Sequence, residues 1–442
     1  MRRFDTVVIG GGLAGIMAAL SAKTERNRVL LVAKGYGSFY HGPGVIDLLG
    51  SSAAKPGKKI VKPFQEINKL HQVHPYSKLG LETVKEALTN LSEQLKFVNY
   101  PLEGGKTNML LPTALGSIRP TCLAPTALAN GDLNHGGDIL IAGIEGFHYF
   151  NALLATENLK QNLKRLGKEQ KVECCTLELT FNRKRPLSAY DLALWFDQHG
   201  DIGFLAEQLR PRLGTAERVG FPAVLGLTKH SAILKQLEQE LGREVFEIPT
   251  LPPCVPGIRL HRSLITLLQK KGIAIVTGYP VADFVSRDRV IKQITVHSPG
   301  RHMEYQGSKY ILATGGLVGG GLVAGSGWVQ ETIFKLPVAY IPGVESWSRD
   351  KLFHPKGQPY AHFGVMVNTQ MQPVDHQGTV CFTNLYAAGN ILAHSDPLAE
   401  KSSGGIDIAT GFAAGMQCRG EGMNHELQRE FSGGPVLKVQ HL

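Results

Sequence analysis

At 442 residues the chain is too long for one small domain; at roughly 150 residues per domain it fits two or three, or one large domain carrying an insertion. Its 43% hydrophobic and 19% charged residues can bury a sizeable core and argue against intrinsic disorder. The net charge of +10 comes from scattered basic residues, without zinc spacing or an aromatic-studded basic stretch, so no nucleic acid is expected as a partner. A soluble basic surface is the plain reading; attraction to an acidic partner, to anionic lipid or to a small phosphorylated substrate are the sharper ones.

The cysteines at 122, 174, 175, 254, 381 and 418 form no CxxC. That argues against iron–sulfur or zinc chemistry within this chain, so no metal site is expected, and it fits a reducing cytosol. No run approaches about 18 uninterrupted apolar residues, so any membrane association is expected to be peripheral or through a partner. The apolar run after Arg2-Arg3 breaks at three glycines and does not read as a signal peptide.

In chain order, residues 4–9 read as a buried parallel strand, 13–22 as an alanine- and leucine-rich helix and 28–32 as a second buried strand. This βαβ unit has the size of a mononucleotide-binding half. Residues 34–52 are glycine-punctuated loop, 56–69 a basic linker and 83–97 an amphipathic helix. A separate α/β block begins near Asp138, with strands expected at 139–142, 172–179 and 221–225 and helices at 147–166 and 233–241. After the proline-rich Ile248-Pro249-Thr250-Leu251-Pro252-Pro253 come strands at 273–276, 290–297 and 310–313, then a helix over 406–416. The expected division is a nucleotide-binding domain in two parts, 1–75 and 249–442, with an inserted α/β domain over 76–248.

Three glycine motifs carry the chemistry. Gly10, Gly11, Gly12, Leu13, Ala14 and Gly15 form G-x-G-x-x-G between a buried strand and a helix, where glycine permits a tight turn and close approach of a pyrophosphate to the helix N-terminus. An acidic residue should end the second strand to bond an adenosine ribose, but that strand ends Val32-Ala33-Lys34. Its absence weakens NAD and favours FMN, which lacks that ribose, with FAD as second choice. The second motif, Ala313-Thr314-Gly315-Gly316, returns the chain to the same site. The third is Ala388-Gly389-Asn390, with Gly404, Gly405 and Ile406 opening a helix whose N-terminus can face a phosphate or the flavin ring. Each motif alone is matched by an ordinary structural turn; three in this order are far more specific. Ser38 to Gly44, with His41, lies where such folds approach the flavin ring. Arg259 and His261 follow a rigid proline segment and are the catalytic candidates, as holders of an anionic phosphate or stabilisers of reduced flavin, against the alternative of surface charge at a helix start.

The three motifs resemble the two-motif flavoprotein family of fumarate reductase and glycerol-phosphate-oxidising enzymes. Residues 74–80 (HPYSKLG), 251–261 (LPPCVPGIRLH), 396–400 (DPLAE), Phe363-Gly364-Val365 and residues 45–49 (VIDLL) are similar, more narrowly, to the B-subunit family of anaerobic glycerol-3-phosphate dehydrogenase. The likeness covers both ends and the borders of the middle block; residues 100–245 match only in outline. It implies an α/β Rossmann-like FAD/NAD(P)-binding flavoprotein fold, split in sequence, with an inserted α/β domain. It also implies a flavin, FMN before FAD, in a cytoplasmic heterodimer with a FAD-containing A subunit, docked on a membrane-associated iron–sulfur C subunit and so peripheral to the inner membrane. Such a complex oxidises sn-glycerol 3-phosphate to dihydroxyacetone phosphate and passes electrons to quinone. The alternatives are a stand-alone flavin oxidoreductase of the fumarate reductase type and a cofactor-less assembly protein.

Overall fold

The computed structural model describes residues 2–52, 58–179, 186–352 and 354–419. Pro56 and Gly57 of the expected linker and the part of the last expected segment beyond Arg419 lie outside the described residues.

The chain opens β1 (Arg2–Ile9), α1 (Leu13–Ala22) and β2 (Val29–Ala33), followed by α2 (Leu81–Lys96) and a hairpin of β3 (Leu102–Pro112) and β4 (Ile118–Pro125). The middle block runs β5 (Ile139–Ile144), α3 (Ala152–Arg165), β6 (Val172–Leu177), α4 (Ala189–His199), α5 (Ile202–Leu209), β7 (Arg218–Pro222), α6 (His230–Leu241) and β8 (Glu244–Ile248). The chain returns through α7 (Val255–Lys270), β9 (Ala274–Thr277), β10 (Val281–Arg287), β11 (Val290–Ser298), β12 (Arg301–Leu312), β13 (Leu385–Ala387) and α8 (Ser403–Gln417).

Seven strands form the larger sheet in the order β10-β11-β12-β1-β2-β9, with β13 paired to the end of β12. β1, β2, β9, β13 and the second half of β12 are parallel, whereas β10, β11 and the start of β12 form an antiparallel meander. All five residues of β2 and the last four of β1 are buried, as strands covered on both faces require. The smaller sheet, β6-β5-β7-β8, is parallel throughout, with helices joining its strands.

Each sheet has its own core. β1, α1, β2 and α8 contribute to the first, and β5, β7, β8 with α3 to α6 to the second. Two elements belong to both. In the hairpin, Leu102 and Leu123 lie in the first core, and Leu110 and Ala124 in the second; in α7, Ile258 lies in the second and Leu260 and Leu264 in the first. α2 buries Val84, Ala87, Leu88 and Leu91 in the first core although it follows residue 76 in the chain.

Candidate functional site

Register places the site. Ile9 pairs with Leu312, and Leu312 with Ala387, so three neighbouring parallel strands end level with one another. Their C-terminal turns, Gly10–Gly15, Thr314–Gly316 and Gly389–Asn390, therefore meet at the carboxyl edge of the sheet, where open α/β folds bind ligands.

Contacts at the glycines confirm the meeting. Gly10 has φ +128°, and a Cβ there would lie 2.0 Å from the Ala313 carbonyl oxygen. Only glycine fits, in both conformation and space. Asn390 O lies 2.7 Å from a would-be Cβ on Gly316, and a Cβ on Gly389 would meet the Ala14 side chain at 2.6 Å. Gly12 differs: nothing lies within 4 Å of the corresponding point, and no side chain caps α1, which Gly12 precedes. The first-turn N–H groups of α1, with no partner inside the helix, are thus left to a ligand.

Two side-chain oxygens at this edge, Thr314 Oγ1 and Asn390 Oδ1, are buried with no hydrogen-bond partner. Unpaired buried polar atoms of this kind are costly, so a bound group that supplies their partners stabilises the site. Close by, Asp407 on α8 places Oδ1 2.8 Å from the would-be Cβ of Gly389. Burial lifts the Asp407 carboxyl to about 7, offset only in part by the Asn390 backbone N–H. A helix N-terminus, two orphaned oxygens and closely apposed glycines fit the phosphate and polyol stretch of a flavin nucleotide. The adenosine ribose acid is missing in space as in sequence: Ala33 Cβ sits beneath Gly11, 2.8 Å from a would-be Cβ there.

Residues 35–37 run against the first glycine turn: Gly35 O lies 2.8 Å from a would-be Cβ on Gly11, and Gly12 Cα 2.5 Å from one on Gly37. Lys34 and Ser38 are exposed, Ser38 opening a short 3-10 turn, and Gly44 packs on Pro256. Gly404 and Gly405 are packing glycines: the atoms nearest their would-be Cβ positions belong to residues 46–48 and to the Tyr76 hydroxyl, and the Gly405 N–H donates to Asp47 O at 2.8 Å. Ile406 is fully buried. Around this contact three of the segments that carry the narrower family resemblance, 45–49, 74–80 and 396–400, assemble. Tyr76 donates its hydroxyl to Leu48 O (2.7 Å), and Asp47 accepts from Arg119 Nε (2.7 Å) and Thr121 Oγ1 (3.0 Å). His74 Nδ1 accepts from the Tyr76 N–H, which leaves Nε2 to donate to Glu400, 3.3 Å away. Ser402 also donates to Glu400, at 2.8 Å.

Of the two catalytic candidates, Arg259 needs correction. The Arg259 guanidinium pairs with Glu247, Nη2 donating to Oε1 at 3.0 Å, and its Nε donates to Gly226 O at 2.9 Å. Only 3% of its side chain is exposed, so it is neither surface charge nor free to take a substrate phosphate. His261 sits among Tyr36, Phe39 and Tyr40, with ring centroids 4.6, 5.8 and 5.1 Å away. Burial, helped by Arg262, lowers it to about 4, so it is neutral at physiological pH. Sequence reasoning missed Asp407, which lies one position beyond the glycine-pair motif with nothing local to mark it.

The FAD binding domain family matches residues 5–406. A Halobacterium salinarum protein named as a probable B subunit of anaerobic glycerol-3-phosphate dehydrogenase is 32% identical over 421 residues, covering 93% of this chain and 96% of its own length. The anaerobic glycerol-3-phosphate dehydrogenase B subunit of Pectobacterium atrosepticum is 30% identical (95% and 99% covered), and that of Vibrio vulnificus 29% (95% and 97%). The preference for FMN over FAD has no support: the matching family is defined by FAD. Among the described residues no helix is long and apolar enough to cross a membrane. The chain is thus a Rossmann-like flavoprotein that belongs to the FAD binding domain family and, within it, to the family of anaerobic glycerol-3-phosphate dehydrogenase B subunits.

Proposed function

We propose that this chain is the FAD-binding B subunit of an anaerobic glycerol-3-phosphate dehydrogenase that converts sn-glycerol 3-phosphate to dihydroxyacetone phosphate and passes electrons towards quinone. The observation that carries the reading is the convergence of the Gly10–Gly15, Thr314–Gly315 and Gly389–Asn390 turns at one sheet edge, in a chain matched along nearly its whole length by proteins of that name. FAD, when bound, accepts two electrons and hands them on singly. The α1 N-terminus would take its pyrophosphate, and Thr314 and Asn390 would take hydroxyl or amide groups of its ribityl–flavin portion. With Arg259 paired to Glu247 and His261 neutral among aromatic rings, no side chain of this chain is assigned as substrate base.

A FAD-containing A subunit and a membrane-associated iron–sulfur C subunit are the partners in this reading, which places the protein on the cytoplasmic side of the inner membrane through contact with the latter. In this reading the nucleotide unit comprises 1–75 and 249–442 and the insertion 76–248; α2 packs in the first core. The test is purification of the full chain, acid release and chromatography of its flavin, then dye reduction by sn-glycerol 3-phosphate with and without the A subunit. FAD in the extract and turnover only with the partner are expected. A colourless protein that releases no flavin sinks the reading.

A further inference from the structure

We propose that Asp407 is a cofactor-holding residue whose carboxyl, in its neutral acid form, donates a hydrogen bond to an acceptor oxygen in the phosphate–ribityl stretch of the bound FAD. The inference rests on the flavin reading above and adds a residue that no glycine motif contains.

Asp407 projects from α8 beside Gly389, whose own Cα packs on Ala14 in the first turn of α1; it therefore stands where the first and third glycine turns meet. The residue as a whole is half-buried. Apart from the Asn390 N–H, no hydrogen bond or cation engages it among the described residues. A carboxyl held against a sheet edge with one protein donor has unused capacity facing the ligand position.

Charge decides which form is used. A carboxylate this close to a pyrophosphate would repel it, whereas a protonated acid supplies a donor. The surroundings favour the acid. α1 contains no ionisable residue, and α8 none besides Asp407. α2 turns Val84, Ala87, Leu88 and Leu91 inward, and the segment 385–391 carries only the Tyr386 phenol. Among the described residues the Tyr76 hydroxyl is in electrostatic contact with it, itself pushed well above its ordinary value by burial and by neighbouring carboxylates, Asp407 among them, and so neutral. Desolvation without a compensating cation is why the carboxyl sits near neutrality, at about 7. Phosphate nearby pushes it further up, so binding takes up a proton wherever the free protein has lost it. FAD affinity is therefore flat below that pH and falls above it by up to about tenfold per pH unit.

The experiment measures equilibrium FAD affinity, by quenching of flavin fluorescence, for the full chain and for D407N and D407A at pH 6 and pH 8. The wild type is expected to bind about tenfold more weakly at pH 8. D407N, which keeps a donor but cannot ionise, is expected to hold the acid-side affinity at both pH values. D407A is expected to bind weakly at both. Thermal unfolding of the apo variants checks that each is folded. A wild-type affinity that does not change between the two pH values, or a D407N protein that loses affinity as the wild type does, overturns the proposal and leaves the flavin site standing. Absence of FAD binding in every variant overturns the flavin site itself and the proposal with it.

Discussion

Packing sets His261 among the rings of Tyr36, Phe39 and Tyr40 and makes Arg259 half of a buried ion pair with Glu247. His261 is held near 4 by burial and then by Arg262; His230 is held near 4 by burial and then by Arg259. Their unfolded-state values lie near 6.5. Between about pH 4 and 6.5 the unfolded chain takes up protons that the folded one refuses, so stability rises with pH across that window and levels off above it. Urea unfolding at pH 5 and pH 7.5 is expected to show a deficit at the lower pH, about 1–2 kcal/mol per histidine. The H230Q/H261Q double variant is expected to remove most of it; an undiminished deficit would place its origin in other groups. The three glycine motifs were readable because they depend on local spacing. The neutrality of His261 was not, since it depends on Tyr36, Phe39 and Tyr40, which reach it from another segment.

At the level of elements, the contact of α1 with α8 holds the first and third motifs in place. All of α1 is buried, and a Cβ on Gly411 of α8 would lie 2.4 Å from Ala14 O, so the two backbones touch without an intervening side chain. Gly411→Val forces the helices apart and with them Gly389 from Ala14. The expected result is a loss of about 1–3 kcal/mol in stability together with weaker FAD retention, read by thermal unfolding with and without added FAD. Retention of both would mean that the crossing does not position the site. The sequence pattern announces α1 and β2, which are uniformly apolar. It does not announce the β3–β4 hairpin, whose strand β3 carries Gly104 and Gly105 and follows no strict alternation, nor β10, which is mostly exposed.

For the molecule as a whole, the two cores are joined through α7. Arg259 on α7 pairs with Glu247 of β8, and its neighbours Ile258 and Leu260 point into different cores. Removing one member of a buried pair leaves the other charged and unpartnered, so R259M is expected to cost about 3–5 kcal/mol in urea unfolding. The double variant R259M/E247L is expected to recover most of that, because two apolar groups need no partner. If the double variant is as unstable as R259M, the pair is not what couples α7 to the smaller sheet.

Sequence by itself determined what depends on neighbours along the chain: the opening βαβ unit, the glycine turns and the absence of an acid at Ala33, since turn geometry and strand burial are written in consecutive residues. Only tertiary structure decided which distant groups meet. It brought residues 46–48, Tyr76 and Glu400 together around α8, paired Arg259 with Glu247, and set Asp407 beside Gly389. Burial and charge at those places depend on strand register and helix crossing, which join separate elements whether 12 positions apart, as Glu247 and Arg259 are, or 326, as His74 and Glu400 are.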